Sequence, residues 1–434
     1  MDAKELIKLF KDWVKLEKGI DLDLDPCEEA ILEYSLKDEP YKQMKIPSYA
    51  PGTIMIIKGP ELFKKLSRII GTNVNKKNCR LVLDELLKEK KEPVREGKTK
   101  PISQINSHRN LLEAPDVSDF YGREQELSDL QKWIVTESCR VVGVLGINGI
   151  GKSALVRELV EKVKNDFDYV IWKSLEYSPS LAEILTDVEL SFSSSSSETA
   201  IDRRTTNLIS FLTDNRCLLI FDQWEGVMAK GESLDNEQKY QYERFLKRIG
   251  ESEHQSCLVF TSIQKPGVID VLGHRRNIQQ LSLCGLEYQD AKTLLTELGL
   301  VNPGIEQLIE IYKGHPLALI LASEPIKNIH NRQIYEFLEG TIFIPNVMSG
   351  LLDKLFSSYL SNLEIQIMQK LAIATEPQLI SQIAQFFPSK GEISQAIDHL
   401  WQVRLIEKAD ILAGDKILWV LNPLIKKYIK RRYK

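Results

Sequence analysis

Residues 141–153 read Val-Val-Gly-Val-Leu-Gly-Ile-Asn-Gly-Ile-Gly-Lys-Ser, an apolar run ending in G-x4-G-K-S, and a helix-forming stretch starts at Ala154. Glycines at this spacing let the backbone curl until its N–H groups face a phosphate chain. The helix that follows adds the positive end of its dipole to the same anion. The strand–loop–helix setting is that of a P-loop. It predicts that Gly146, Asn148, Gly149, Ile150, Gly151, Lys152, Ser153 and Ala154 surround the phosphates of ATP or ADP. Lys152 reaches the β- and γ-phosphates and the Ser153 hydroxyl sits on Mg²⁺.

A second apolar run, Arg216-Cys-Leu-Leu-Ile-Phe-Asp222, ends in an acid. A strand buried on both faces would push Asp222 out at its carboxyl end, where it can hold Mg²⁺ with Ser153. Gln223 follows, where many P-loop ATPases carry a water-activating carboxylate; an amide orients a water but cannot accept its proton. Glu225 is the next candidate base, and a solvated loop acid is the competing reading of it. Ser256-Cys-Leu-Val-Phe-Thr261-Ser262 is a third strand, ending in hydroxyls that sense a γ-phosphate or bond local backbone. Within Gly314-His315-Pro316, the proline starts a new helix. His315 has no metal-ligand partner at useful spacing.

The elements that must position these residues alternate. Strand-like runs at 140–145, 168–172, 216–221 and 257–261 are separated by helical patterns, as in a parallel sheet covered on both faces. Residues 1–91 are helical, with Leu6, Leu9, Trp13 and Val14 on one face. Further apolar faces are Leu62, Phe63, Leu66 and Ile69-Ile70, ended by Gly71, and Leu81, Val82, Leu83 and Leu86-Leu87 on a helix that Asn75 is expected to cap. Periodicity lapses from about Lys88 to Val117, as in a solvated linker. Ser193 to Ser197 reads as a surface loop. Beyond Leu283 the pattern is mostly helical, with a β-like stretch at 417–421 and a basic last helix.

Bulk properties exclude several classes. A net charge of −4 over 434 residues gives no overall pull toward nucleic acid or an acidic membrane. The cysteines fall in no C-x2-C pair, which argues against zinc and suits a reducing cytosol. The N-terminus is not a signal peptide, and no apolar run is long enough to span a bilayer.

Taken together, residues 118–434 resemble the STAND class of signalling ATPases, in its NB-ARC type. Phe120-Tyr-Gly-Arg-x-x-Glu comes first, then the P-loop, Phe167-Asp-Tyr-Val-Ile-Trp172, the Walker B strand, Thr261-Ser262, Gly314-His-Pro316 and a winged-helix-like end. The resemblance implies a multidomain α/β plus α fold clamped around ADP at rest. ATP exchange then opens the clamp and permits homo-oligomeric assembly. It assigns the Gly122-Arg123 region and Pro316 to contacts around the nucleotide, Pro316 near the base, beside the Thr261 hydroxyl read above as a γ-phosphate contact. Three departures stand out: Ile263 replaces the arginine of the usual Thr-Ser-Arg, Gln223 the second acid, and Asn422 the histidine of a Met-His-Asp motif. Slow or partner-dependent hydrolysis is the consequence expected.

Residues 27–87 resemble the helix-turn-helix N-terminal domain called vWA-MoxR-associated, through Gly59-Pro-Glu-Leu-Phe-Lys-Lys-Leu-Ser and Val74-Asn-Lys-Lys-Asn. Such domains bind DNA or protein. The stretch Ala50 to Ile57, expected in a groove, has no Arg or Lys, so a protein partner is favoured over DNA. Lys64, Lys65, Arg68, Lys76 and Lys77 offer some basic charge. The expected domains are 1–91 (helix-turn-helix-like), 92–117 (linker), 118–280 (nucleotide-binding), 281–345 (small helical) and 346–434 (winged helix). Relatives of this kind often continue into WD or TPR sensors. A chain stopping at Lys434 leaves that task to another polypeptide or to the N-terminal domain, or marks a gene remnant.

Overall fold

The computed structural model describes residues 3–18, 22–37, 44–46, 58–70, 74, 76, 79–88, 109–117, 120–192, 198–228, 236–273, 275–301, 303–339, 343–387, 390–409 and 417–433. The expected groove stretch 50–57, Gly71, Asn75, Lys77 and Ser193–Ser197 lie outside the described residues, as do the side chains of Lys64 and Arg68. The chain forms two compact units, Met1–Ser107 and His108–Lys434.

The first unit contains α1 (Ala3–Lys18), α2 (Pro26–Leu36), α3 (Gly59–Ile70) and α4 (Cys79–Lys88). Their shared core includes Leu6, Ile7, Phe10, Val14, Ile31, Leu32, Leu62, Leu66 and Leu83. Leu9, expected on the buried face of α1, is exposed. Residues 3, 7, 10 and 14 follow the three-and-four spacing of one helix face, and position 9 falls off that stripe. Asp25 and Glu28 form a reciprocal capping box that starts α2. Lys65 ties α3 to it through Glu28 Oε2 at 2.8 Å and the Asp23 carbonyl at 2.7 Å.

The second unit is built on a six-stranded parallel sheet: β1 (Arg109–Asn110), β2 (Val141–Leu145), β3 (Tyr169–Ser174), β4 (Cys217–Asp222), β5 (Cys257–Ser262) and β6 (Ile278–Ser282), in the order β1-β3-β4-β5-β2-β6. Helices α5 (Glu124–Gln131), α6 (Lys152–Val163), α7 (Leu181–Ser191), α8 (Ile201–Asp214), α9 (Asn236–Glu251) and α10 (Gly267–Leu272) complete it. Alternate residues of each central strand feed cores on opposite faces. Leu219 and Phe221 pack on one side, Leu218 and Ile220 on the other. Burial on both faces explains the continuous apolar runs of β2, β4 and β5.

The two edge strands escaped the sequence reading. β6 is polar and only partly buried, and β1 falls inside the stretch read as linker. The segment after β1 is held firmly. Glu113 accepts from the buried Lys173 amine at 2.7 Å and from the Ser174 N–H at 2.6 Å, and Asp187 takes the same amine at 2.7 Å.

Four helices follow the sheet: α11 (Tyr288–Glu297), α12 (Ile305–Tyr312), α13 (Pro316–Asn328) and α14 (Ile334–Glu339). Then come α15 (Asn346–Ser358), α16 (Asn362–Ile373), β7 (Gln378–Leu379), α17 (Ile380–Ala384), α18 (Lys390–Gln402), β8 (Ile406–Lys408), β9 (Leu418–Leu421) and α19 (Pro423–Arg432). The antiparallel β7-β9-β8 sheet behind α16–α18 is the helix-and-wing order expected from the sequence. Glu364 closes a capping box with Ser361 and also takes His399. Burial raises its proton affinity, but the bonds to His399 and Ser361 outweigh that and leave its pKa lowered. No helix among the described residues is long and apolar enough to cross a membrane.

Candidate nucleotide site

The loop between β2 and α6 turns on glycines. Gly146, Gly149 and Gly151 hold φ of +152°, +81° and +102°, in the left-handed region that side chains avoid. Gly151 is the N-cap of α6, and a Cβ there would meet nothing within 4 Å. Its glycine serves the backbone turn rather than close packing.

Lys152, on the first turn of α6, is buried at 6% exposure. Its amine donates to the carbonyls of Gly146 at 2.7 Å and Ile147 at 3.4 Å. Burial lowers its pKa, while the Glu225 and Asp222 carboxylates pull the other way. Ser153 Oγ donates to Asp222 Oδ1 at 2.7 Å, although one strand separates β4 from β2. Thr261 Oγ1 donates to the same oxygen at 2.5 Å and accepts from the Gln223 N–H at 2.8 Å. Ser262, paired with Leu145 at the loop entrance, is fully buried, and its hydroxyl has no hydrogen-bond partner among the described residues. A curled glycine loop, a buried amine, a hydroxyl–carboxylate pair and an unsatisfied hydroxyl together fit a phosphate chain with Mg²⁺.

Glu225 is buried at 8% exposure, not a solvated loop acid. Its Oε2 accepts from the Ile263 N–H at 3.3 Å, and burial raises its pKa despite Lys152 nearby. Its carbonyl accepts from the Tyr359 hydroxyl at 3.3 Å, and Gln264 Nε2 donates to the Tyr359 carbonyl at 3.1 Å. The segment after α15 therefore reaches the candidate site, a contact between distant residues that no local sequence pattern announces.

A raised carboxyl pKa has a defined sign. The folded state binds this proton more tightly than the unfolded state, so stability falls as pH rises from about 4.3 through the folded pKa. Glu225→Gln keeps an oxygen for the Ile263 N–H and removes the buried charge. We expect its unfolding temperature to gain on the wild type as pH rises from 5 to 8. Parallel pH dependences for the two proteins would show that Glu225 bears no such penalty.

Ile263, standing where an arginine was expected to touch a phosphate, is 1% exposed. Ile263→Arg must bury a guanidinium in a site that already holds the Lys152 amine. Burying an ion without a prepared partner costs several kcal/mol. We expect the variant to lose about 3 kcal/mol of unfolding free energy, measured by urea titration, with no gain in turnover. Unchanged stability with faster ATP hydrolysis would mean that this strand end faces the phosphates.

The remaining predicted residues sit around the loop. Arg123, in a left-handed conformation and 7% exposed, pairs with Glu126 at 2.7 Å. Its Nη2 also donates to the carbonyls of Cys284 at 2.5 Å and Ile150 at 3.3 Å. Gly122 abuts Asp290, whose Oδ2 would lie 2.0 Å from an added Cβ. Pro316 opens α13 as expected, capped by His315. Asn422, at the position matched to the motif histidine, is used locally. Its Oδ1 accepts from the Leu424 N–H at 2.9 Å, so it caps α19. Leu424 and Ile425, just after it, line a small apolar cleft with Ile147, Asn148, Met348 and Leu355 at the loop tip. Ala154 is half-buried on the first turn of α6. No cluster of three or more His, Cys, Asp or Glu side chains that could hold a metal ion by itself is found among the described residues.

Residues 123–236 match the NB-ARC domain, and residues 1–86 match the vWA-MoxR associated protein N-terminal HTH. The chain is 32% identical over 397 residues to an uncharacterized WD repeat-containing protein from Nostoc sp.. The alignment takes in 85% of this chain and 30% of that protein, so the chain spans under a third of that relative's length. Among solved structures it is similar to the Walker-type ATPase of Pyrococcus abyssi, at 15% identity and a TM-score of 0.49, over 72% of this chain and 96% of that one. It is also similar to a Signal Transduction ATPase with Numerous Domains from Pyrococcus horikoshii that carries a tetratricopeptide repeat sensor. That match has 16% identity and a TM-score of 0.36, over 74% of this chain and 44% of that one.

Proposed function

We propose that this chain, a P-loop NTPase with an NB-ARC domain behind a vWA-MoxR-associated helix-turn-helix domain, works as a nucleotide-gated switch of the STAND kind. It rests with ADP on the glycine loop. Exchange for ATP and Mg²⁺ loosens the C-terminal helices and lets copies of the chain assemble. The observation that carries this reading is the Tyr359 contact with Glu225 and Gln264, beside Lys152 and Asp222. A change at the phosphates is then felt by the segment joining α15 to α16. When bound, Mg²⁺ would be held by Ser153 and Asp222 and would neutralise phosphate charge. Lys152 binds the phosphates, and Gln223 or Glu225 orients a water.

Hydrolysis is slow or needs a partner, because Gln223 stands where a carboxylate would accept the proton of the attacking water. A non-hydrolysing adaptor is the second reading, favoured by the engagement of Glu225 with the Ile263 N–H. The N-terminal domain recruits a protein partner, with DNA the weaker reading. Nucleotide extracted from the purified protein, followed by a phosphate-release assay, separates these. Bound ADP with slow release supports the switch, bound ADP with none supports the adaptor, and absence of nucleotide binding contradicts both.

A further inference from the structure

Three consecutive carbonyls at the tip of the glycine loop are each held by a donor from outside it. Asn148 O accepts from His315 Nε2 at 3.1 Å. Gly149 O accepts from the Leu317 N–H at 3.4 Å, and Ile150 O from Arg123 Nη2 at 3.3 Å. In a trans peptide the C=O of one residue and the N–H of the next point in opposite directions. A donor that holds a carbonyl outward therefore turns the following N–H toward the concave side of the loop, where an anion would sit.

His315, the N-cap of α13, supplies one of these donors through its side chain, and both its ring nitrogens are committed. It is 4% exposed. Nδ1 accepts from the Ala318 N–H at 3.2 Å and caps the helix, so that nitrogen carries no proton. The neutral ring then keeps its proton on Nε2, which donates to Asn148. Burial lowers the pKa to about 4, with the Lys152 and Arg123 cations adding to the effect, so the ring is neutral at physiological pH. The fit is close: a Cβ on Gly149 would lie 2.6 Å from Leu317 Cδ2 and 2.9 Å from His315 Cε1.

We propose that His315 is a positioning residue for the phosphate-binding loop, its Nε2–H turning the Asn148–Gly149 peptide so that the Gly149 N–H faces the phosphate chain of a nucleoside diphosphate. The inference rests on the nucleotide reading of the site given above. It separates two roles that Gly314-His315-Pro316 would otherwise share: the proline starts the helix and the histidine sets the loop.

The test compares ADP and AMP affinities by calorimetry for the wild type and His315→Asn. Asparagine still caps a helix but is too short to reach Asn148 as well. The expected result is about tenfold weaker ADP binding with AMP changed by less than about twofold, since loss of one ordered hydrogen bond is felt only where the terminal phosphate sits. An unchanged ADP affinity, or an equal loss for ADP and AMP, would reduce His315 to a helix cap and overturn the proposal. A wild type that binds no ADP would instead defeat the nucleotide reading itself. If the variant fails to fold, nitrogen NMR of histidine-labelled wild type decides. His315 as the Nε2–H tautomer supports the proposal, and the Nδ1–H tautomer overturns it.

Discussion

Lys152→Ala is expected to weaken ADP and ATP binding by at least about a hundredfold, roughly 2.7 kcal/mol, and to leave the fold intact. The amine is the only cation that the P-loop motif itself places at the phosphates, and a point charge there cannot be replaced by backbone N–H groups alone. The folding side of the prediction comes from the structure. The side chain is buried, its amine is bonded to two carbonyls of its own loop, and burial disfavours its charge. Removing it relieves that penalty, at the cost of those loop contacts and of the attraction between the amine and the buried Glu225 and Asp222 carboxylates. The opposing effects should leave the unfolding temperature little changed while calorimetry shows binding lost. Equal ADP affinity in the variant would defeat the P-loop assignment, and a large drop in stability would recast Lys152 as structural.

Asp222→Asn is expected to remove the Mg²⁺-dependent increment of ATP affinity, about tenfold or more, and to change metal-free ADP binding by less than about twofold. The contrast is testable because the amide substitution is conservative here. One oxygen, Oδ1, accepts from both Ser153 and Thr261. An asparagine oxygen can take both hydroxyls, so the strand ends stay joined while the charge that attracts a divalent cation is gone. Titrating ATP with and without Mg²⁺, and ADP without metal, checks each part. If ATP and ADP fall together, Asp222 joins the strand ends and does no more.

The loop and the Walker B strand were legible because their meaning is local. Glycines at fixed spacing encode positive φ, and a strand covered on both faces must be apolar along its whole length. The helix that starts at Pro316 was legible for the same reason. β1 and β6 were not, because edge strands such as Ile278–Ser282 expose polar residues and show no period. The order β1-β3-β4-β5-β2-β6 could not be read from spacing, although it is what places Asp222 within reach of Ser153. The roles of Tyr359, Glu113 and His315 depend on partners far away in the chain. Asn422 spends its side chain on capping its own helix, a use that its place in Leu421-Asn422-Pro423 did not announce. Leu9 was placed on the apolar face of α1 by its helical spacing from Leu6 and Trp13, while the geometry of α1 buries Ile7 and Phe10.

The most direct test of the switch is native mass measurement of the purified protein, first with ADP and then with ATP and Mg²⁺. The account predicts one ADP on a single chain, then ATP bound within a larger assembly of the same chain. The same mass in both nucleotides, or a chain that holds neither, would contradict it.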